Sequence, residues 1–230
     1  MNISIVVPVL NEAPLIRDFL TDLRQRAPKA EIIIVDGDSS DRTSECAAGL
    51  CDQLLRTHPG RARQMNVGAR AGHGEVFWFL HVDARIPDSA IIDIEEALRE
   101  EQVGGGFFRI RLPRERFVYR LTDWFAHYAG LLLQIRCGDH GFFCRREIFE
   151  QFGGFPDVEL MEDVDFFRRI RRAGKVAVVR HRLIVDPRRY EAIGPWRLTI
   201  AFGAIWLLYF CRVPRSTLQR IYRRFCCRSR

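Results

Sequence analysis

No Cys-X-X-Cys pair occurs in the 230 residues, and the seven cysteines are an odd number set in apolar or terminal contexts. These facts exclude a disulfide framework and a cysteine zinc site, and they fit reduced thiols in a cytoplasmic protein. A basic leader is also missing: MNISIVVPVL carries no lysine or arginine before Asn11-Glu12, so no secretory signal is expected. Long apolar runs are scarce. Leu198 to Cys211 is a stretch of 14 uncharged residues, about 21 Å as a helix against ~30 Å of hydrocarbon, too short for a confident bilayer span. Between Val9 and Pro14 there is no glycine, which removes the glycine-rich N-terminal phosphate loop of many nucleotide enzymes. Acid is absent from Arg212 onward, where seven arginines occur, so the formal charge of +7 belongs to the tail and residues 1–211 are neutral overall. A neutral body with a basic tail argues against a nucleic-acid partner and favours attachment at one end to an anionic surface, such as the inner face of the cell membrane.

What is present is an ordinary globular composition, 47% hydrophobic and 28% charged, long enough for one large domain or two small ones. Ile3 to Val9 is a β-branched run that reads as a buried parallel strand. Leu15, Phe19, Leu20 and Leu23 follow at helical spacing, and Glu31 to Val35 is a second β-branched run, so strand, helix and strand form a βαβ unit of an α/β fold. Ligands of open α/β sheets collect outside the carboxyl ends of the strands, here at Pro8, Asn11 and Glu12 after the first and at Asp36 after the second. A short strand near Leu54-Leu55 leads into Gly60-Arg61-Ala62-Arg63-Gln64-Met65-Asn66. This helix start offers N–H groups and guanidinium forks to a phosphate, although a solvated helix face has the same pattern. Val76 to Leu80 runs into His81-Val82-Asp83, where a carboxylate closing a buried strand suits a divalent metal with oxygen ligands. Gly104-Gly105-Gly106 is expected to be the entry to a strand at Phe107, and Phe117 to Ile135 a helix covering the sheet.

From Cys137 to Gly174 an apolar segment, a Gly153-Gly154 turn and an amphipathic helix opened by Glu162-Asp163 place two carboxylates where backbone N–H groups favour negative charge. They are either simple helix-start acids or catalytic ones. Gly138-Asp139-His140-Gly141 re-enters the same region, with Asp139 and His140 expected to border the same pocket.

Taken in order, PVLNE (8–12), VDGDSSD (35–41), FLHVD (79–83) and MED (161–163) resemble glycosyltransferase family 2, the inverting nucleotide-sugar transferases of the GT-A fold. A closer resemblance is to a small bacterial subfamily with GRARQMN, FLHxD and LMEDV motifs and a late RRY element, here Arg188-Arg189-Tyr190. The resemblance implies a Rossmann-like, mostly parallel GT-A sheet flanked by helices over residues 1–194, followed by a helical, basic extension at 195–230. It implies Asp163 as catalytic base, Glu162 as its helper and Asp83 as ligand of Mn²⁺ or Mg²⁺. A nucleoside-diphosphate sugar would be held by Pro8, Asn11, Glu12, Asp36, Arg61, Gln64, Asn66, His81 and Arg188 or Arg189, with Asp36 on the nucleotide base. The acceptor, which Asp139 and His140 would border, is unknown, and only the tail suggests a lipid-linked one. Gly37 stands where the common motif has a second acid, and His81 where the DXD motif has its first.

The extension is open between two readings. Leu218, Ile221, Tyr222 and Phe225 share one helical face, which either lies on anionic lipid or packs on the domain or on a second subunit in a homodimer. Two other functions stay compatible: a sugar-nucleotide-binding nucleotidyltransferase using Asp83 and a metal, and a non-catalytic membrane-surface scaffold derived from a transferase. The first has no need of Glu162-Asp163, and the retained Asp36, Asp83 and Asp163 weigh against the second.

Overall fold

The computed structural model describes residues 1–112, 117–122, 124, 140–158 and 160–226. Strand β1 is Ile3–Val9, buried throughout, with Ile3, Ile5, Val7 and Val9 in one core and Val6 in the core on the opposite face. A strand apolar on both faces has to lie inside a sheet covered on both sides. It pairs in parallel with β2 (Glu31–Asp36) and β4 (Val76–Phe79), and β2 pairs in parallel with β3 (Gln53–Arg56). The β4 pairing ends at Val6, so Pro8 lies past that ladder and its missing N–H is tolerated there.

Four further strands complete the sheet: β5 (Ala84–Arg85), β6 (Val103–Arg111), β7 (Phe143–Arg145) and β8 (Lys175–Val185). The order is β3-β2-β1-β4-β7-β6-β8-β5, with β7 antiparallel to both neighbours, β6 and β8 parallel, and β5 antiparallel on β8. Gly105 and Gly106 sit inside β6 rather than at its entry. A Cβ at Gly105 would lie 2.5 Å from the Phe143 carbonyl oxygen, and one at Gly106 2.4 Å from the Phe143 ring. The glycines therefore let β7, a three-residue strand opened by the bulky Phe143, seat against β6.

Helices α1 (Ala13–Arg26), α2 (Thr43–Ala47) and α4 (Ala90–Ala97) cover one face through Ile16, Leu20, Leu23, Ala47 and Ile94. Helices α3 (Arg61–Ala71), α6 (Arg146–Gln151) and α7 (Glu162–Ala173) cover the other. That second core is aromatic: Phe166 of α7 lies 4.1 Å from Phe155, which meets Phe79 edge-on at 4.8 Å (ring centroids). The strand order reverses between β1 and β4, and the crevice outside their carboxyl ends receives residues 8–12 and 80–83.

Beyond a helical segment at 117–122 (α5), the C-terminal part contains α8 (Arg188–Ile193), α9 (Pro195–Phe210) and α10 (Arg215–Cys226). Helices α9 and α10 form a hairpin docked on the start of α7, where Leu198, Ala201, Ile205 and Cys226 bury Met161 and Val164. Asp165, in the first turn of α7, accepts the Tyr209 hydroxyl at 2.6 Å and pairs with Arg215. Burial and this bond to Asp165 push the Tyr209 hydroxyl up to about 12. The face of α10 that suited lipid is thus an inward one: Leu218 is fully buried and Ile221 and Tyr222 are half-buried, leaving only Phe225 exposed. An amphipathic stripe reads the same whether lipid or protein receives it.

At the amino end of β2, Glu31 accepts bonds from Ser4 Oγ, Gln53 Nε2 and the backbone N–H and ring of His73 at 2.5–2.8 Å. Burial alone would raise its carboxyl, but these four bonds outweigh it and hold it at about 2. The resulting stability is fully present above the ordinary value of about 4.5 and is lost as pH falls toward about 2. Glu31→Gln should therefore cost about 1–2 kcal/mol at pH 7 after solvent screening, and much less near pH 2.5, in urea titrations at the two pH values.

Candidate active site

The crevice divides into two adjoining cavities. The smaller, of about 370 Å³, is lined by Pro8, Glu12, Gln64, His81, Asp83 and Asp186. The larger, of about 660 Å³, is lined by His140, Glu162 and Asp163 together with Ile110, Met161 and Trp206. Gly60, Arg61, Arg189, Tyr190 and Phe202 border both. Two cationic side chains therefore stand where the cavities meet, between Asp83 on one side and Asp163 on the other.

Several polar residues expected to touch a ligand are hydrogen-bonded to this protein's own loops. Asp36 is fully buried; its carboxylate accepts the Ser39 N–H at 2.9 Å, the Ser39 hydroxyl at 2.6 Å and the Ser44 hydroxyl. It lines neither cavity, and what it does is fold the 37–44 loop. Asn11, held at φ 57°, accepts the Ser40 N–H at 2.9 Å and fastens the end of β1 to the same loop. Asn66 is displaced from the site: its amide donates to the Phe155 carbonyl at 2.8 Å and accepts the Phe155 N–H at 2.9 Å, pinning the turn before α7 onto α3. Gln64 does border the smaller cavity, but its Nε2 donates to the Val9 and Val35 carbonyls, both at 2.8 Å, and braces the ends of β1 and β2. Gly37 follows from that brace. A Cβ there would stand 3.0 Å from the Gln64 amide, so an acid at this position would disturb it.

Arg188 and Arg189 separate. Arg188 Nη2 donates to Glu12 Oε2 at 2.6 Å, tying α8 to the start of α1, and it lines neither cavity. Arg189 lines both. Its Nη2 donates to the Tyr222 hydroxyl at 2.6 Å and to the Cys226 carbonyl at 3.1 Å, with the guanidinium 5.6 Å and 5.3 Å from the ring centroids of Phe202 and Tyr222. An arginine held between aromatic faces and bonded through Nη2 is fixed in position. The C-terminal hairpin thus sets the position of a cation at the centre of the site.

On the acid side, Glu162 and Asp163 are 6% and 8% exposed and open α7, after Met161 in the left-handed region at φ 66°. Asp163 Oδ1 accepts the Val164 N–H at 2.7 Å. His140 is buried nearby, and because a carbonyl can only accept, its Nδ1–H donates to the Phe108 carbonyl at 3.0 Å. Asp139 lies outside the described residues.

Asp186 was not singled out in the sequence. The β5–β8 pairing brings it beside Asp83, whose carbonyl accepts the Asp186 N–H at 2.9 Å, while Asp186 Oδ1 accepts the Arg188 N–H at 2.8 Å. An acid closing a β-branched strand just before Arg188-Arg189-Tyr190 was the available signal. No group of three or more His, Cys, Asp or Glu arranged to hold a metal occurs among the described residues. Of the three carboxylates lining this cavity Glu12 is paired with Arg188; Asp83 and Asp186, with the His81 imidazole, suit a hard cation that completes its shell with phosphate oxygens rather than one caged by protein alone.

The model described as Glycosyl transferase family 2 matches residues 4–153, and the chain belongs to this family of glycosyltransferase enzymes. It is 29% identical over 219 residues to the uncharacterized protein MT1568 of Mycobacterium tuberculosis, covering 83% of this chain and 67% of that protein. It is 24% identical over 190 residues to the beta-monoglucosyldiacylglycerol synthase of Trichormus variabilis, covering 73% of this chain and 41% of the synthase. In fold it is similar to the mannosyltransferase PcManGT of Pyrobaculum calidifontis, solved with GDP-Man and Mn²⁺, at a TM-score of 0.69 and 22% identity over 96% of this chain and 69% of that one.

Tyr222→Phe removes the hydroxyl that accepts from Arg189 but keeps the ring. Turnover in sugar transfer should fall about tenfold, as for loss of part of a charge-assisted bond, with the thermal midpoint lowered by only about 2–4 °C. Tyr222→Ala, which also removes the aromatic face, should lose more.

Proposed function

We propose that this protein transfers a sugar with inversion from a nucleoside diphosphate to an acceptor hydroxyl, with the donor in the smaller cavity and the acceptor in the larger. The observation that carries this reading is the placing of Arg61 and Arg189 on the border between Asp83 and Asp163. In an in-line displacement the diphosphate leaves on one side of the anomeric carbon while the acceptor oxygen arrives on the other. Leaving-group cations and an acceptor-side base on opposite sides of a junction suit that path.

In this scheme Asp163 takes the proton from the acceptor hydroxyl as the bond forms, and Glu162 orients the acceptor. Arg61 and Arg189 hold the diphosphate oxygens as their charge grows. Asp83, with Asp186 beside it, would hold a divalent cation, and that cation would neutralise the diphosphate when bound. The complex of PcManGT with GDP-Man and Mn²⁺ supports both ligand classes. The nucleotide base would rest on the 37–40 loop that Asp36 organises rather than on the Asp36 carboxylate.

The larger cavity is lined by the charged Glu162 and Asp163 and by the apolar Ile110, Met161, Ile205 and Trp206. That suits an acceptor whose hydroxyl sits on an amphiphile, including a lipid-linked one, and the diacylglycerol in the name of the Trichormus relative agrees with it.

A screen of uridine, guanosine and other diphosphate sugars with Mn²⁺ or Mg²⁺, read as donor hydrolysis, should find a preferred donor. A nucleotidyltransferase would release pyrophosphate from a triphosphate instead, and a scaffold would do neither. For Asp83→Ala, calorimetry should show nucleotide affinity that no longer responds to Mn²⁺; an unchanged metal response would remove Asp83 from that role.

A further inference from the structure

We propose that α9 docks this protein on an anionic membrane surface, with its outward apolar stripe at the headgroup boundary and the neighbouring arginines on lipid phosphates. The helix is apolar on both sides. Its inner face buries Leu198, Ala201 and Ile205, whereas Trp196, Ile200 and Leu207 are 51%, 66% and 65% exposed. With Ala204, also exposed, these positions recur at helical spacing and form one stripe. Helix α5 meets α9 through Thr122 Oγ1 and Thr199 Oγ1, 2.9 Å apart, and adds exposed Phe117 and Leu121. Scattered exposed apolar residues are ordinary, but a helix-long row marks an interaction surface.

Charge selects the partner. Arg120, Arg197, Arg212, Arg220 and Arg224 are exposed on α5 and the hairpin, and no acid follows Arg212 in the sequence. Arg197 reaches across the hairpin, donating to the Arg224 carbonyl at 3.2 Å with its guanidinium 5.7 Å from the centroid of the exposed Phe225 ring. A second copy laid symmetrically on the stripe would set Arg197 and Arg212 of both chains against each other, whereas anionic lipid supplies the counter-charge. No helix among the described residues is long and apolar enough to cross a membrane, so the geometry is one of lying in the interface. On its other side α9 lines the larger cavity through Thr199, Phe202 and Trp206. Docking would therefore bring the acceptor cavity within one helix of the lipid, a consequence that rests on the proposed function, as the docking itself does not.

The test is co-sedimentation of the full chain with vesicles of phosphatidylcholine alone and of phosphatidylcholine mixed equally with phosphatidylglycerol. Binding should occur on the mixed vesicles, weaken with salt, and fall at least about tenfold in the exposed-face variant Ile200→Glu/Leu207→Glu. Donor hydrolysis in solution should be unchanged in that variant, which separates failure of docking from failure of the catalytic reading. If the double glutamate variant does not fold, Arg212→Glu/Arg220→Glu, on exposed side chains, should abolish the dependence on phosphatidylglycerol. No binding to mixed vesicles, or binding undiminished in a folded variant, would overturn the proposal. So would a concentration-dependent dimer in light scattering that Ile200→Glu/Leu207→Glu dissolves.

Discussion

Asp165 lies two residues after Asp163 in the first turn of α7 and takes its donors from the far end of the chain, Tyr209 on α9 and Arg215 on α10. Arg215 also donates to the Leu160 carbonyl at 2.9 Å, so one guanidinium secures both the loop before α7 and its first turn. Charge-assisted bonds of this kind contribute about 1.5–3 kcal/mol each when partly shielded. Through them the C-terminal hairpin and the helix that presents Glu162 and Asp163 form one body. The hairpin in turn carries Tyr222 and Phe202 to Arg189, so the acid side and the cation at the cavity border are referenced to the same two helices. The family match ends at residue 153, before either of them.

A second constraint is the use of polar motif residues as scaffold. Asp36, Asn11, Gln64 and Asn66 direct their hydrogen bonds at backbone groups and hydroxyls of adjoining loops, so N–H and C=O groups near the strand ends find partners within the protein. This keeps the crevice at the ends of β1, β2 and β4 open while leaving its floor rigid. Arginine and carboxylate side chains then supply the charge within it, which is the division of labour expected of a preorganised site.

The N-terminal half was legible because continuous β-branched runs and short crossovers leave little freedom: β1 occupies Ile3–Val9 as read, and β2 runs one residue further, to Asp36. The position of Glu162-Asp163 at a helix start was legible from the glycine turn and the amphipathic pattern. Asp186 was not, because a two-residue strand such as β5 has no periodicity to detect and only its pairing with β8 sets Asp186 beside Asp83. Arg188 and Arg189 could not be told apart in sequence, since neighbours on a helix point about 100° apart and one faces Glu12 while the other faces the cavities. A motif also does not say whether an amide binds a ligand or a backbone. Asn66 and Gln64 lie in the same GRARQMN stretch, yet one pins a distant turn and the other borders a cavity.

The assignment of Asp163 as the base is tested most directly by comparing wild type and Asp163→Asn in both donor affinity and transfer rate with the donor found by screening. The account predicts nucleotide binding within about twofold of wild type and a transfer rate lower by about 10²–10⁴, because the base acts on the acceptor and only as the bond forms. Transfer at near wild-type rate in the asparagine variant would contradict it.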